Sequence, residues 1–142
     1  MLFDYDLYTD AEKIFLEEID NEIHHYIIMV KNLKIDINRL KFDLINFNLD
    51  NYDEADFIVS AVDFNDEMKM ITVKSQNTKE ESMSYFNDVK SQENIFKNIA
   101  DTDIEQFIIT ADNFTLFFKE KDFDKYFKFF KKYYLKEGSK NM

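Results

Sequence analysis

The chain contains no cysteine and no proline, and its only glycine is Gly138. Disulfide bridges, thiolate zinc sites and thiol catalysis all need cysteine, so they are excluded. Loops that cradle phosphate groups and strained turns that present a nucleophile rely on glycine, because a side chain would block the backbone there. These absences exclude many enzyme classes that are recognised by a motif, and they favour a binding function over a catalytic one.

Long apolar runs are also missing. No stretch of about 18 apolar residues exists, so no transmembrane helix is expected. The first ten residues, MLFDYDLYTD, place no basic segment before an apolar one, so no secretory signal is predicted. The lack of cysteine suits a reducing compartment, and we expect a cytoplasmic protein. Glycine, proline, alanine and arginine are scarce while isoleucine, asparagine, lysine and phenylalanine abound, which indicates a low-GC bacterium, or a phage or mobile element living in one.

What the chain has in abundance is aromatic and acidic residues. At 142 residues, with 45% hydrophobic and 17% aromatic content, it is long and apolar enough to form one domain (1–142) with a core rich in rings. The last residues, 137–142, are expected to form a disordered tail. The formal net charge is −11, and it is unevenly distributed.

Charge differs between the two parts of the chain. Residues 119–142 carry eight lysines and four acids, a balance of +4, whereas residues 1–118 hold ten basic and 25 acidic residues, a balance of −15. Such a body repels nucleic acid and anionic membranes and attracts a basic surface. We therefore expect a basic protein partner, including a nucleic-acid-processing enzyme, and no direct binding of nucleic acid or membrane.

The N-terminal third supports two interpretations. A capping box at Thr9–Glu12, followed by apolar residues every three or four positions, predicts a helix over 10–31. The same heptad spacing continues to residue 49, which would extend the helix over 9–49. Alternation of apolar and polar residues over 33–49 instead predicts two strands, and we favour this interpretation because it places more of the apolar residues on one face.

The remaining elements are predicted from local patterns. Strands at 57–64 and 68–74 flank a short turn, a capping box at Thr78–Glu81 opens a helix over 79–99, and a second hairpin covers 107–119 around Asp112 and Asn113. An aromatic stripe predicts a last helix over 122–136. The fold class is α+β, an antiparallel sheet built from hairpins with three helices in the order α-ββ-ββ-α-ββ-α, or ββ-α-ββ-α after a helix over 9–49.

Acidic clusters provide the candidate binding residues. Carboxylates that lie on one face with few cations imitate the phosphates of a nucleic acid, and the predicted helix over 10–31 offers such a face. The candidates are Glu17, Glu18, Asp20, Glu22, Asp50, Asp53, Glu54 and Asp56. The expected function is that of a small non-enzymatic inhibitor without metal or cofactor, for example a phage inhibitor of a defence nuclease or an immunity protein against a toxic one.

Other interpretations remain open at this point. Asp63, Glu67 and Lys69 distantly resemble the acidic-x-Lys signature of metal-dependent nucleases, where carboxylates hold Mg²⁺ and the lysine helps activate water. The N-terminal heptad helix suggests a structural protein that oligomerises, and the ring-rich last helix suggests a homodimer interface or contact patch. His24 and His25 are adjacent and point about 100° apart on a helix, so they cannot bind one metal ion together.

Overall fold

The computed structural model describes residues 15–136 and shows an α+β fold. Its elements are β1 (His24–Val30), α1 (Ile37–Asn51), β2 (Ile58–Asp63), β3 (Lys69–Gln76), α2 (Lys79–Lys90), α3 (Glu93–Phe96), β4 (Ile104–Thr110), α4 (Ala111–Glu120) and α5 (Phe123–Tyr133). The predicted fold class is confirmed, but the described chain has five helices rather than three and a different order of elements. The capping box at Thr9–Glu12 and the predicted tail 137–142 lie outside the described residues.

One four-stranded antiparallel sheet, in the order β2-β3-β1-β4, organises the fold. Every residue of the inner strand β1 is buried. The predicted helix over 10–31 is wrong for all of its described residues, because residues 15–23 form an irregular segment and β1 begins at His24. Because helices cover both faces of this strand, its apolar run Tyr26–Val30 shows no alternation, and a continuous run of this length fits a helix or a buried strand equally well.

The segment 33–49 contradicts the favoured prediction of two strands, since most of it forms α1. Asp36 caps the helix, and its side chain accepts a hydrogen bond from the Arg39 N–H at 3.0 Å. Leu40 and Leu44 face the core. The alternative of one helix over 9–49 is right for residues 37–49 and wrong for β1. Exposed apolar side chains such as Phe42 produced the misleading alternation.

The hairpin β2–β3 is confirmed close to its predicted bounds. Asp63 lies opposite Lys69 at the end of the ladder, and the turn follows directly. In that turn the Asn65 side-chain oxygen accepts hydrogen bonds from the backbone N–H groups of Glu67 and Met68, each at 2.8 Å. An asparagine therefore organises this turn in a chain with almost no glycine.

The capping box at Thr78 is confirmed as the start of α2. The Thr78 hydroxyl accepts from the Glu81 N–H at 3.1 Å, and the Glu81 carboxylate accepts from the N–H of Asn77, one residue before the usual partner. The predicted helix over 79–99 is divided, because α2 ends at Lys90 and α3 spans four residues from Glu93.

The second predicted hairpin, over 107–119, is wrong. Its first strand exists as β4, but the segment after it is helix α4. The Thr110 hydroxyl accepts from the Asn113 N–H at 3.0 Å, so Thr110 is a helix cap. Asp112 and Asn113, interpreted as turn residues, lie in the first turn of this helix.

The last helix is confirmed as α5, and it covers the outer edge of β4. The Tyr126 hydroxyl donates to the Ile108 carbonyl of that strand at 2.7 Å. The Phe130 ring lies 6.1 Å from Phe107 and 5.6 Å from Phe86, which belong to opposite faces of the sheet. The helix therefore closes this edge of the sheet with aromatic side chains, as expected for a strand edge that must not pair further.

Helices cover both faces of the sheet. On one face, Tyr26 contacts the rings of Tyr85 and Phe86 from α2. On the other, Phe107 contacts Phe117 of α4 with ring centroids 5.6 Å apart. We call these the α2 face and the α4 face. This core of rings is what the aromatic composition predicts.

Candidate partner-binding surface

Seven of the eight predicted binding residues lie at the end of the sheet where β1 and β2 begin. The eighth, Asp50, lies in the last turn of α1 and lines a groove with Gln92, Asn94 and Lys97. Strands β1 and β2 run in the same direction with β3 between them, so their starts lie at one end, about two strand spacings or ~10 Å apart. Glu17, Glu18, Asp20 and Glu22 precede β1, and the segment from Asp53 to Asp56 precedes β2. The fold thus brings together two groups that are about 30 positions apart in the sequence.

Three further acids lie at this end. Helix α2 follows β3 and begins with Glu80 and Glu81, and α4 follows β4 and begins with Asp112. Sequence reasoning missed them as site residues, although the capping box had already placed the two glutamates at a helix start. We call the set the acidic end: Glu17, Glu18, Asp20, Glu22, Asp53, Glu54, Asp56, Glu80, Glu81 and Asp112, all of them exposed.

Hydrogen bonds to α2 and α4, together with buried apolar side chains, hold the first acidic segment in place. The fully buried Asn113 accepts from the Leu16 N–H at 2.7 Å and donates to the Leu16 carbonyl at 3.0 Å. Phe15 and Ile19 are buried in the core. The Lys79 N–H donates to the Asp20 carbonyl at 3.0 Å. The carboxylates of this irregular segment are therefore presented from a backbone that is anchored to α2 and α4.

Aromatic packing holds the second acidic segment. Tyr52 lies between α1 and the 3-10 turn Asp53–Ala55, and its ring centroid lies 5.2 Å from Tyr85 and 5.6 Å from Phe57. Its hydroxyl donates to the Asp88 carboxylate, and burial together with that carboxylate raises the pKa of Tyr52 to about 12. Asp56 adopts a left-handed conformation, with φ of 54°, where the chain turns into β2.

Few described cations neutralise the acidic end. The Lys79 ammonium lies 3.6 Å from the Asp20 carboxylate. Lys74 is exposed near the end of β3, opposite Ile58. The end of α5 brings Lys131, Lys132 and the following Lys136 to the side of β4, where Tyr134 is hydrogen-bonded to His24 at the start of β1. The negative charge is therefore concentrated on the side of β1, β3 and β2.

The two histidines are buried on β1, which corrects their expected position on a helix. His24 Nδ1 donates to the Glu22 carbonyl at 2.7 Å, so Nε2 accepts from the Tyr134 hydroxyl at 2.8 Å. Burial lowers the pKa of His24 and lowers the pKa of His25 to about 4. Successive strand residues point to opposite faces, so the pair still cannot chelate one ion.

The residues of the nuclease alternative lie at the other end of β2. Lys69 Nζ is 2.9 Å from the Asp63 carboxylate, and Glu67 is exposed in the turn. Within residues 15–136 no three histidine or carboxylate side chains come close enough together to hold a metal ion.

The comparisons with known proteins add no relative: no family model, curated protein or solved structure matches this chain. Among the described helices, none is long and apolar enough to cross a membrane.

Proposed function

We propose that this chain is a non-enzymatic binding protein whose acidic end engages a basic protein surface. The observation that carries the proposal is the gathering of two sequence-distant acidic groups at one end of the sheet, where few cations oppose them. Exposed carboxylates in such an arrangement create a negative potential that steers a basic partner into contact and raises the association rate.

The partner class that suits this surface best is an enzyme that binds nucleic acid. Such an enzyme carries lysine and arginine side chains placed for phosphates, and most of its affinity for nucleic acid comes from those charges. A protein with anchored carboxylates competes for the same side chains. An inhibitor of a defence nuclease, encoded by a phage or mobile element, and an immunity protein against a toxic nuclease both have this property.

The test is capture of a partner from the native host by the full chain, followed by competition. A bound basic protein should be released as salt rises from roughly 0.05 to 0.5 M, because the Debye length falls severalfold. Duplex DNA or RNA should also release it, and the captured nuclease should lose activity when the chain is added. Capture that is equal at both salt concentrations would contradict the proposal.

Two triple variants with the same change in net charge test whether the position of the reversed carboxylates matters for binding. Reversal of Glu18, Glu22 and Asp53 to lysine should slow association at least about tenfold without unfolding the domain. The matched control reverses Glu93, Asp101 and Glu120, which are exposed and lie at the opposite end of the sheet. Equal loss in both variants would mean that the charge acts only as a bulk property.

The same preparation also tests the enzyme alternative. Cleavage of DNA or RNA that requires Mg²⁺ and disappears on Glu67→Ala would overturn the binding function and favour the nuclease that uses Asp63, Glu67 and Lys69. In the structure the lysine of that motif, Lys69, forms an ion pair with Asp63.

A further inference from the structure

The sheet has one covered edge and one open edge. Helix α5 covers β4, whereas within the described chain β2 pairs with β3 alone. Alternate N–H and C=O groups along the outer side of β2 therefore have no backbone partner in residues 15–136. Proteins usually protect such an edge with lysine, proline or a bulge, and Ile58–Val62 contains no lysine or proline.

The open edge carries an exposed apolar pair. Ile58 is 66% exposed and Val62 is 46% exposed, and they share one face because they are four residues apart on a strand. That face is the α4 face, because Ile58 aligns through Lys74 with His25, which contacts Phe114 of α4. Ser60 lies between them on the same face. An added strand that places apolar side chains at alternate positions would contact both residues while it pairs with the backbone.

Acidic residues flank this edge at both ends. Asp53, Glu54 and Asp56 precede it, and Asp63, Asp66 and Glu67 follow it. The nearby cations on β3 are Lys74, beside Ile58, and Lys69, which is paired with Asp63. The Lys121 ammonium lies 5.0 Å from the ring centroid of Phe64, directly after β2. Six carboxylates and three ammonium groups therefore surround an apolar centre.

The charges decide which kind of strand fits. In a second copy paired antiparallel about Ser60, Ile58 would meet Val62 of the other copy. The residues before β2 would then approach that copy's Asp66 and Glu67, so acids would face acids at both ends. Like charges brought together in this way oppose association. A strand with lysine or arginine at both ends complements the same edge.

We infer that β2 is the docking edge for an extended segment of the basic partner, which adds as a fifth strand with apolar residues at its centre and basic residues at its ends. Backbone hydrogen bonds supply affinity in this mode, while alternate side chains and the flanking charges supply specificity. The inference rests on the proposed function and names how the partner reaches it.

A synthetic peptide tests the inference with the full chain. The probe has two lysines, six residues that alternate valine and threonine, and two more lysines. It should bind and shift the amide resonances of residues 57–64. A peptide with glutamates in place of the lysines, and one with prolines in place of the threonines, should each bind at least about tenfold more weakly.

Protein variants provide the matched control. Ile58→Ser with Val62→Ser removes the apolar pair without adding charge and should weaken the lysine peptide about tenfold. Phe42→Ser with Leu49→Ser removes a similar exposed apolar area from α1 and should leave binding within about twofold. Equal effects of the two variants, resonance shifts confined to other segments, or no binding of the lysine peptide would overturn the inference.

The outcome is distinguishable from failure of the proposed function. If the peptide fails while the partner still depends on Glu18, Glu22 and Asp53, the acidic end remains and the docking edge is wrong. If the peptide binds as expected but reversal of those charges does not change the association of the partner, the docking edge is supported and the proposed function of the acidic end is wrong.

Discussion

Replacement of Asn113 by alanine should weaken the attachment of the acidic segment that precedes β1. The Asn113 side chain is fully buried in α4 and exchanges two hydrogen bonds with the backbone of Leu16, at 2.7 and 3.0 Å. Its own backbone N–H stays bonded to Thr110, and alanine is a good helix former, so the helix itself should persist. The variant therefore removes one anchor of the segment and leaves helix α4 in place.

The expected loss in the free energy of unfolding follows from the N–H and the carbonyl of Leu16, which both lose their hydrogen-bond partner. An unsatisfied buried N–H or C=O costs about 1–3 kcal/mol each. The bonds to Leu16 are only partly buried, so water replaces part of the loss and we expect about 2 kcal/mol in total. With a urea dependence of about 2 kcal/mol per molar, the unfolding midpoint should fall by about 1 M.

Urea denaturation combined with amide hydrogen exchange measures this change. Exchange at Leu16 should accelerate even if the rest of the fold remains protected, because a segment can open locally. The matched control is Asn87→Ala on the exposed side of α2, which should change stability by less than about 0.5 kcal/mol. A midpoint shift below about 0.3 M together with unchanged exchange at Leu16 would refute the reasoning.

Two further outcomes follow from the core. The pKa of His25 is lowered to about 4, so between pH 6.5 and 4 the unfolded chain binds a proton that the folded chain does not. The free energy of unfolding should therefore decrease, by up to about 1.4 kcal/mol per pH unit, as the pH is lowered through this range. His25→Gln should reduce that slope in urea titrations, and an unchanged slope would contradict the cause given. Phe107→Ala should cost about 3–5 kcal/mol in the same assay, because its fully buried ring packs against Phe117 and Tyr126. Phe42→Ala, at an exposed site, should cost less than about 0.5 kcal/mol, and similar losses in the two variants would contradict that packing.

Turn and capping residues in the sequence correctly predicted the elements that depend on contacts between neighbouring residues. The hairpin β2–β3 and the start of α2 depend on residues within a few positions of each other, such as Asn65 in the turn and Thr78 at the cap. The amphipathic pattern of α5 was equally clear, since its apolar side faces the core and its lysines are largely outside. The fold class followed from these elements.

Elements that depend on distant packing were predicted wrongly. Residues 24–30 are a strand because β3 and β4 pair with them on either side, and nothing within the segment itself shows those partners. The choice between strand and helix for α1 turned on which apolar residues are exposed. Phe42 and Leu49 face solvent, and periodicity alone cannot distinguish an exposed apolar residue from a buried one.

Eight acidic residues were proposed as binding residues from the sequence, because charge and cluster size are properties of composition, whereas Glu80, Glu81 and Asp112 were missed. The common location of the two clusters was not predicted, and the supposed helix over 10–31 was the wrong scaffold for half of the eight residues. Parallel directions of β1 and β2, with β3 between them, bring the two clusters to one end of the sheet. That juxtaposition depends on pairing between strands that are remote in the chain, so only the tertiary structure decided it.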